Sequence, residues 1–182
     1  MLIERAVCSV GPELKLIVRP EHRARLLEHP RLREAHLTAR KERHEVTTYF
    51  DTPDLALEQA GLSLGVRQGN GQRTQTVRTK DPRHGVALQR AEWEWPIEQD
   101  VPDLSLLAQT PVDSTVLSGL EDRLEPVFVT DIRRASCDLR LDEYTSVEAV
   151  FDEGHIVAGG SSEAVSELQT PFRKVGEADV TS

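Results

Sequence analysis

Charged residues in this sequence recur at alternate positions on segments that otherwise read as β-strands. Glu13 and Lys15 alternate with Leu14 and Leu16. Ser63, Gly65 and Arg67 take the side opposite Leu62, Leu64 and Val66. Thr76, Arg78 and Lys80 alternate about Val77, and Arg90, Glu92 and Glu94 alternate with Ala91, Trp93 and Trp95. Further on, Glu148 and Asp152 fall on one strand face. Residues two apart on a strand share a face, so each segment has an apolar side and a charged side. A lone strand of this kind is ordinarily half-solvated. As a set, Lys15, Arg67, Arg78, Lys80 and Arg90 are the groups that grip an oligophosphate through charge-assisted hydrogen bonds. The carboxylates Glu13, Glu92, Glu148, Asp152 and Glu167 are the oxygen ligands that a hard divalent cation takes.

Those side chains act together only if the strands that carry them face one another. "PEHRARLLEH" predicts a short helix, with Pro20 in its first turn and Pro30 closing it. "HEVTTYFD", residues 44–51, is β-branched and aromatic, hence a strand. Thr52, Pro53 and Asp54 read as N-cap, N1 and first turn of a helix "DLALEQA" that stops at Gly61. Asn70-Gly71, between "LSLGVRQ" and "QRTQTVRTK", is a hairpin signal. "LQRAEWEWPI" predicts a further strand, and "DLSLLAQ" and "DSTVLSGL" two short helices. From residue 124 onward, "EPVFVTDIRRASCDLRL", "SVEAVFDEG", "HIVAGG" and "AVSELQ" read as short antiparallel strands. Large apolar residues such as Trp93 and Trp95 need cover, which helices supply from outside a sheet. The charged faces then point inward, and a small barrel with a polar lumen implies a ligand, because such interiors are otherwise filled by side chains.

Composition narrows the reading. The chain has 182 residues, 38% hydrophobic and 29% charged, which suits one soluble globular domain. Its net charge of −9 argues against a nucleic-acid surface. Arginine supplies most of the 22 basic residues, and its planar fork suits phosphate. No apolar run approaches a bilayer span, no secretory signal opens the chain, and two cysteines fit a reduced, cytoplasmic protein.

In order along residues 11 to about 169, "ELKL", "TYFDTPD", "GLSLGVRQGNG", "QTVRTK", "QRAEWEW", "VFVTDIRR", "VEAVFDEG" and "SELQ" resemble the CYTH domain, the triphosphate tunnel metalloenzyme superfamily. The resemblance implies an α+β fold: an antiparallel eight-stranded β-barrel, or tunnel, with a charged lumen and helices packed outside. It implies a single domain over residues 1–170, with 171–182 as a disordered or truncated tail. Its implied activity is hydrolysis of a small-molecule triphosphate or polyphosphate with Mg²⁺ or Mn²⁺. By position, Lys15, Arg67, Arg78, Arg90 and Arg134 would hold phosphate, with Lys80 a further cation. Glu13, Glu148, Asp152 and Glu167 would face the metal, and Glu92 would orient the attacking water. Strand parity alone leaves Arg133 and Arg134 equivalent; the resemblance selects Arg134.

The sequence departs from the family pattern at three charged positions. Gly11 stands where the first strand carries a glutamate, Gly65 where an arginine is expected, and Gln169 where the last strand carries an acid. A charge-assisted hydrogen bond contributes about 1.5–3 kcal/mol, so these losses weaken both phosphate and metal binding. Two alternatives to hydrolysis follow: a non-catalytic phosphate-binding shell, and a β-barrel carrier of a small non-phosphate ligand. Six histidines lack metal-ligand spacing, Cys8 and Cys137 lack a thiolate-activating environment, and "GNG" at 69–71 reads as a turn.

Overall fold

Alternation of apolar and charged residues produces a sheet with one greasy and one charged side. A computed structural model describes residues 13–35, 39–79, 92–110, 112, 118, 120, 122–140, 142 and 145–173. The side chains of residues 13, 14, 20, 31 and 171–173 lie outside that description. Eight strands form it: β1 (Glu13–Ile17), β2 (Lys41–Asp51), β3 (Leu62–Gly69), β4 (Gln72–Thr79), β5 (Glu92–Ile97), β6 (Glu125–Arg140), β7 (Ser146–Ala158) and β8 (Ser161–Arg173). They make one sheet in the order β1-β8-β7-β6-β2-β3-β4-β5, every pairing antiparallel. The eight-stranded antiparallel expectation is met. Among the described residues the end strands β1 and β5 do not pair with each other.

Short helices cover the apolar side in two patches. α1 (Pro20–Leu27) and α2 (Pro30–Ala35) lay Leu26, Leu27, Leu32 and Ala35 over Ala135, Cys137, Leu139, Val147, Ala149, Phe151 and Leu168 of β6–β8. Pro30 does end the predicted helix, but it also starts α2, since a proline at a first helical position sacrifices no hydrogen bond. Across β3–β5, Leu62, Leu64, Val66, Val77 and Trp95 pack with Leu57 of α3 (Ala56–Gln59) and Leu107 of a 3₁₀ turn, Leu104–Gln109. Gln75 is fully buried there. Its amide donates to the Asp103 carbonyl at 3.0 Å and its oxygen accepts from the Asp103 N–H at 2.6 Å, which fixes the 3₁₀ segment to the sheet.

Two helix expectations change on inspection. "DLSLLAQ" winds as a 3₁₀ turn capped by Asp103. The "DLALEQA" helix shrinks to four residues, because Leu55 takes a left-handed conformation (φ 56°) just before it. "DSTVLSGL" falls mainly on residues outside the description. The 70–71 hairpin is as expected, with φ of 52° at Asn70 and 75° at Gly71, and Gly69 opposite Gln72. "HIVAGG" and "AVSELQ" belong to two long strands, β7 and β8, joined at Gly159-Gly160. β8 also runs to Arg173, into the stretch assigned to the tail. None of the described helices is long and apolar enough to cross a membrane.

Candidate functional site

Residues directly opposite in neighbouring strands share a sheet face, so the registers show where each charge goes. Ser63 lies opposite Arg78, which lies opposite Glu92. Arg67 is opposite Thr47 on one side and Thr74 on the other, while Thr76 is opposite Gly65 and Glu94. On the far half, Arg134 pairs with Asp152, Asp152 with Glu167, Glu167 with Ile17, and Lys15 with Gln169. Thr47 opposite Thr130 joins the two halves. Lys15, Arg67, Arg78, Glu92, Arg134, Glu148, Asp152 and Glu167 therefore all occupy the face away from the helices. Glu13 has the same backbone register position, and its side chain lies outside the description; Lys80 and Arg90 lie outside the described residues altogether.

Lys15, Arg67, Arg78 and Arg134 on this face each meet a carboxylate. Lys15 Nζ is 2.7 Å from Glu167, and Arg67 donates to Glu94 at 2.9 Å. Arg78 donates from Nε at 2.8 Å to one oxygen of Glu92, and its Nη2 lies 2.7 Å from the same oxygen. Arg134 forks onto Asp152 with two bonds of 2.7 Å. Burial works against the charge on Arg78, but the attraction and hydrogen bond of Glu92 outweigh it and hold its pKa above the ordinary arginine value. For Arg134 the Asp152 hydrogen bonds dominate; burial opposes them, and the charges of Asp152 and Glu45 reinforce them, so its pKa is also raised. Arg134 also acts against the charge on Arg78, although two strands separate theirs.

Sequence reasoning passed over several residues here. Glu45, on β2, is a largely buried acid 3.0 Å from Arg43 and 3.9 Å from Arg134. Tyr49 stacks on Phe128 across β2–β6, centroids 4.4 Å apart. The period-two pattern of "HEVTTYFD" does place 45, 47 and 49 on one face; only the register with Arg67 reveals that it is the charged one. Gly65 proves crowded. A Cβ there would lie 3.1 Å from Thr47 Cγ2, 3.3 Å from Thr76 Oγ1 and 3.4 Å from Tyr49 Cε1, so any side chain at this position requires these neighbours to give by a few tenths of an ångström.

The metal expectation meets a different arrangement. Asp152 and Glu167 stand opposite each other, but Arg134 and Lys15 neutralise them, and the Gln169 amide donates toward both at 3.5 and 3.3 Å. Glu148 lies further along, opposite Asp138. Among the described residues no group of three or more His, Cys, Asp or Glu side chains is gathered to hold a metal ion. As arranged, the described donors do not fit Mg²⁺ or Mn²⁺.

Comparison with known proteins adds the lineage. The CYTH domain profile matches residues 12–170. Over 124 residues, 67% of this chain, the sequence is 29% identical to the inorganic triphosphatase of Haemophilus influenzae; the chain spans 34% of that relative's length. A solved Hippeastrum protein described as having a dominant triphosphatase activity superposes with a TM-score of 0.53 at 18% identity, covering 87% of this chain and 77% of its own. A candidate adenylate cyclase from Bacillus halodurans gives 0.48 at 17% identity, covering 87% and 78%.

Proposed function

The chain belongs to the CYTH domain family, and from that premise we propose that its charged face binds a small triphosphate or polyphosphate compound, inorganic tripolyphosphate or a nucleoside triphosphate. The observation that carries the reading is the gathering of Lys15, Arg67, Arg78 and Arg134 on one face, each held out by a carboxylate. Lys80 and Arg90 belong to the same proposed set. A guanidinium has five N–H donors, and the fork onto Asp152 uses two of Arg134's. Phosphate oxygens thus meet cations already oriented, which lowers the ordering cost of binding. Lys15, 55% exposed, exchanges Glu167 for phosphate at little desolvation cost.

Isothermal titration of the protein with tripolyphosphate and ATP tests this. Binding is expected for the parent, with about tenfold or greater loss for Arg78→Ala and Arg134→Ala. Absent binding, or variants equal to the parent, would overturn the reading. Stabilisation only by ligands without phosphate would favour the carrier alternative.

A second reading is hydrolysis of the terminal phosphoanhydride. Glu92 favours it: Arg78 fixes this carboxylate on the phosphate-binding face, where it can accept a hydrogen bond from a water in line with the terminal phosphorus. Arg67, Arg78 and Arg134 would then offset the charge on the equatorial oxygens. The name of the Haemophilus influenzae relative supports the same chemistry. Phosphate release from tripolyphosphate, ATP and thiamine triphosphate, with Mg²⁺, Mn²⁺ or chelator, decides between turnover and a binding shell. Release that Glu92→Gln abolishes without weakening binding supports turnover; release no faster than without protein supports the shell.

A further inference from the structure

Arg43 belongs to none of the motifs that carry the family likeness, yet the β2–β6 register sets it directly opposite Arg134 on the charged face. Two guanidiniums facing each other across a sheet repel. Glu45, two residues on and only 13% exposed, offsets that repulsion, with one oxygen 3.0 Å from Arg43 Nε and the other 3.9 Å from Arg134 Nη1. Asp152 takes Arg134 from the opposite side, so Arg134 is engaged on both flanks. Arg43 differs: among the described residues Glu45 is its one ion-pair partner, the contact is through Nε, and the side chain is 48% exposed. Its two terminal amino groups therefore form a fork beside the Arg134 position, anchored at the root.

We propose that Arg43 is a further phosphate-binding residue, taking the phosphoryl group adjacent to the one that Arg134 holds. This inference rests on the proposed binding of a phosphate chain to this face. It specifies the ligand as one with linked phosphoryl groups, because the Arg43 and Arg134 guanidiniums side by side suit two neighbouring anionic centres better than one. The Glu45 tether keeps Arg43 from wandering into solvent, so less side-chain entropy is lost when the phosphoryl group arrives.

The test is calorimetric titration of the full chain with tripolyphosphate, alongside thermal unfolding. Arg43→Gln is expected to raise Kd about tenfold, with the unfolding temperature unchanged, and Arg43→Lys to recover only part of the loss because it restores charge without the fork. Arg73→Gln, on the opposite face and paired with Asp100, should leave Kd at the parent value. If Arg43→Gln binds within twofold of the parent while Arg134→Ala has lost binding, this inference fails and the proposed function stands. If the parent itself does not bind tripolyphosphate, both fall.

Discussion

Arg134 concentrates the energetics of the charged face in one side chain. Asp152, 6% exposed, takes its two shortest hydrogen bonds from it, beside a longer one from the Gln169 amide. Arg134→Ala should therefore cost about 3 kcal/mol in urea-induced unfolding, through a buried carboxylate left without its cation. Adding Asp152→Asn should recover part of that loss, and a double-mutant cycle measures the coupling. The raised pKa values of Arg78 and Arg134 fix a pH expectation. A cation whose folded pKa is raised contributes stability that is fully present below its unfolded pKa and disappears only as pH rises through the folded one. Both are raised from the ordinary arginine value, so tripolyphosphate affinity should not decline through arginine deprotonation between about pH 6 and 9; a calorimetric pH series checks this. At this scale the sequence was readable for the charges themselves. It was misleading at Gly65, which reads as a bare loss of charge but is packed by Thr47, Thr76 and Tyr49.

Among the elements, α3 is the least predictable from sequence and the most instructive. The natural reading caps it with Thr52; the N-cap is instead Leu55, although Thr52 Oγ1 accepts from the Ala56 N–H at 2.9 Å. The larger share belongs to Asp51, the last residue of β2. Its buried carboxylate accepts from the N–H groups of Thr52, Leu57 and Glu58 at 2.7, 2.8 and 3.0 Å. Asp51→Ala would strand those donors at a helix start, and we expect a loss of about 2 kcal/mol by chemical denaturation, with Asp51→Asn retaining some of it. No sequence pattern announces this, because it depends on the left-handed turn at Leu55 that folds α3 back over the strand end. The strands were far more legible, since period-two alternation is local. Their outer faces also predict a reactivity. Cys137 is buried under α1 and α2, and burial pushes its thiol pKa up. Alkylation by iodoacetamide at neutral pH should be slow in the native protein and rapid in urea, followed by mass spectrometry.

For the whole molecule, the governing feature is the segregation of the two sides of one sheet. Helices and the 3₁₀ turn cover the apolar side as two separate cores, leaving the opposite side to ion pairs and the Tyr49–Phe128 stack. This separation explains how a chain of net charge −9 can present several arginines together. Charge alternation within each strand, together with the family likeness, led to that arrangement from the sequence. The partners of each charge were not legible, because pairings such as Arg67 with Glu94 or Arg134 with Glu45 depend on long-range register and side-chain reach. The most direct measurement of the central claim is a titration with tripolyphosphate followed through the arginine Nε–H signals in nitrogen-15 NMR. The account predicts that Arg67, Arg78 and Arg134 shift together and saturate with one Kd, while Arg73 and Arg123, paired with Asp100 and Asp54, stay fixed. Saturable shifts at Arg73 and Arg123 with Arg67, Arg78 and Arg134 unmoved would contradict it.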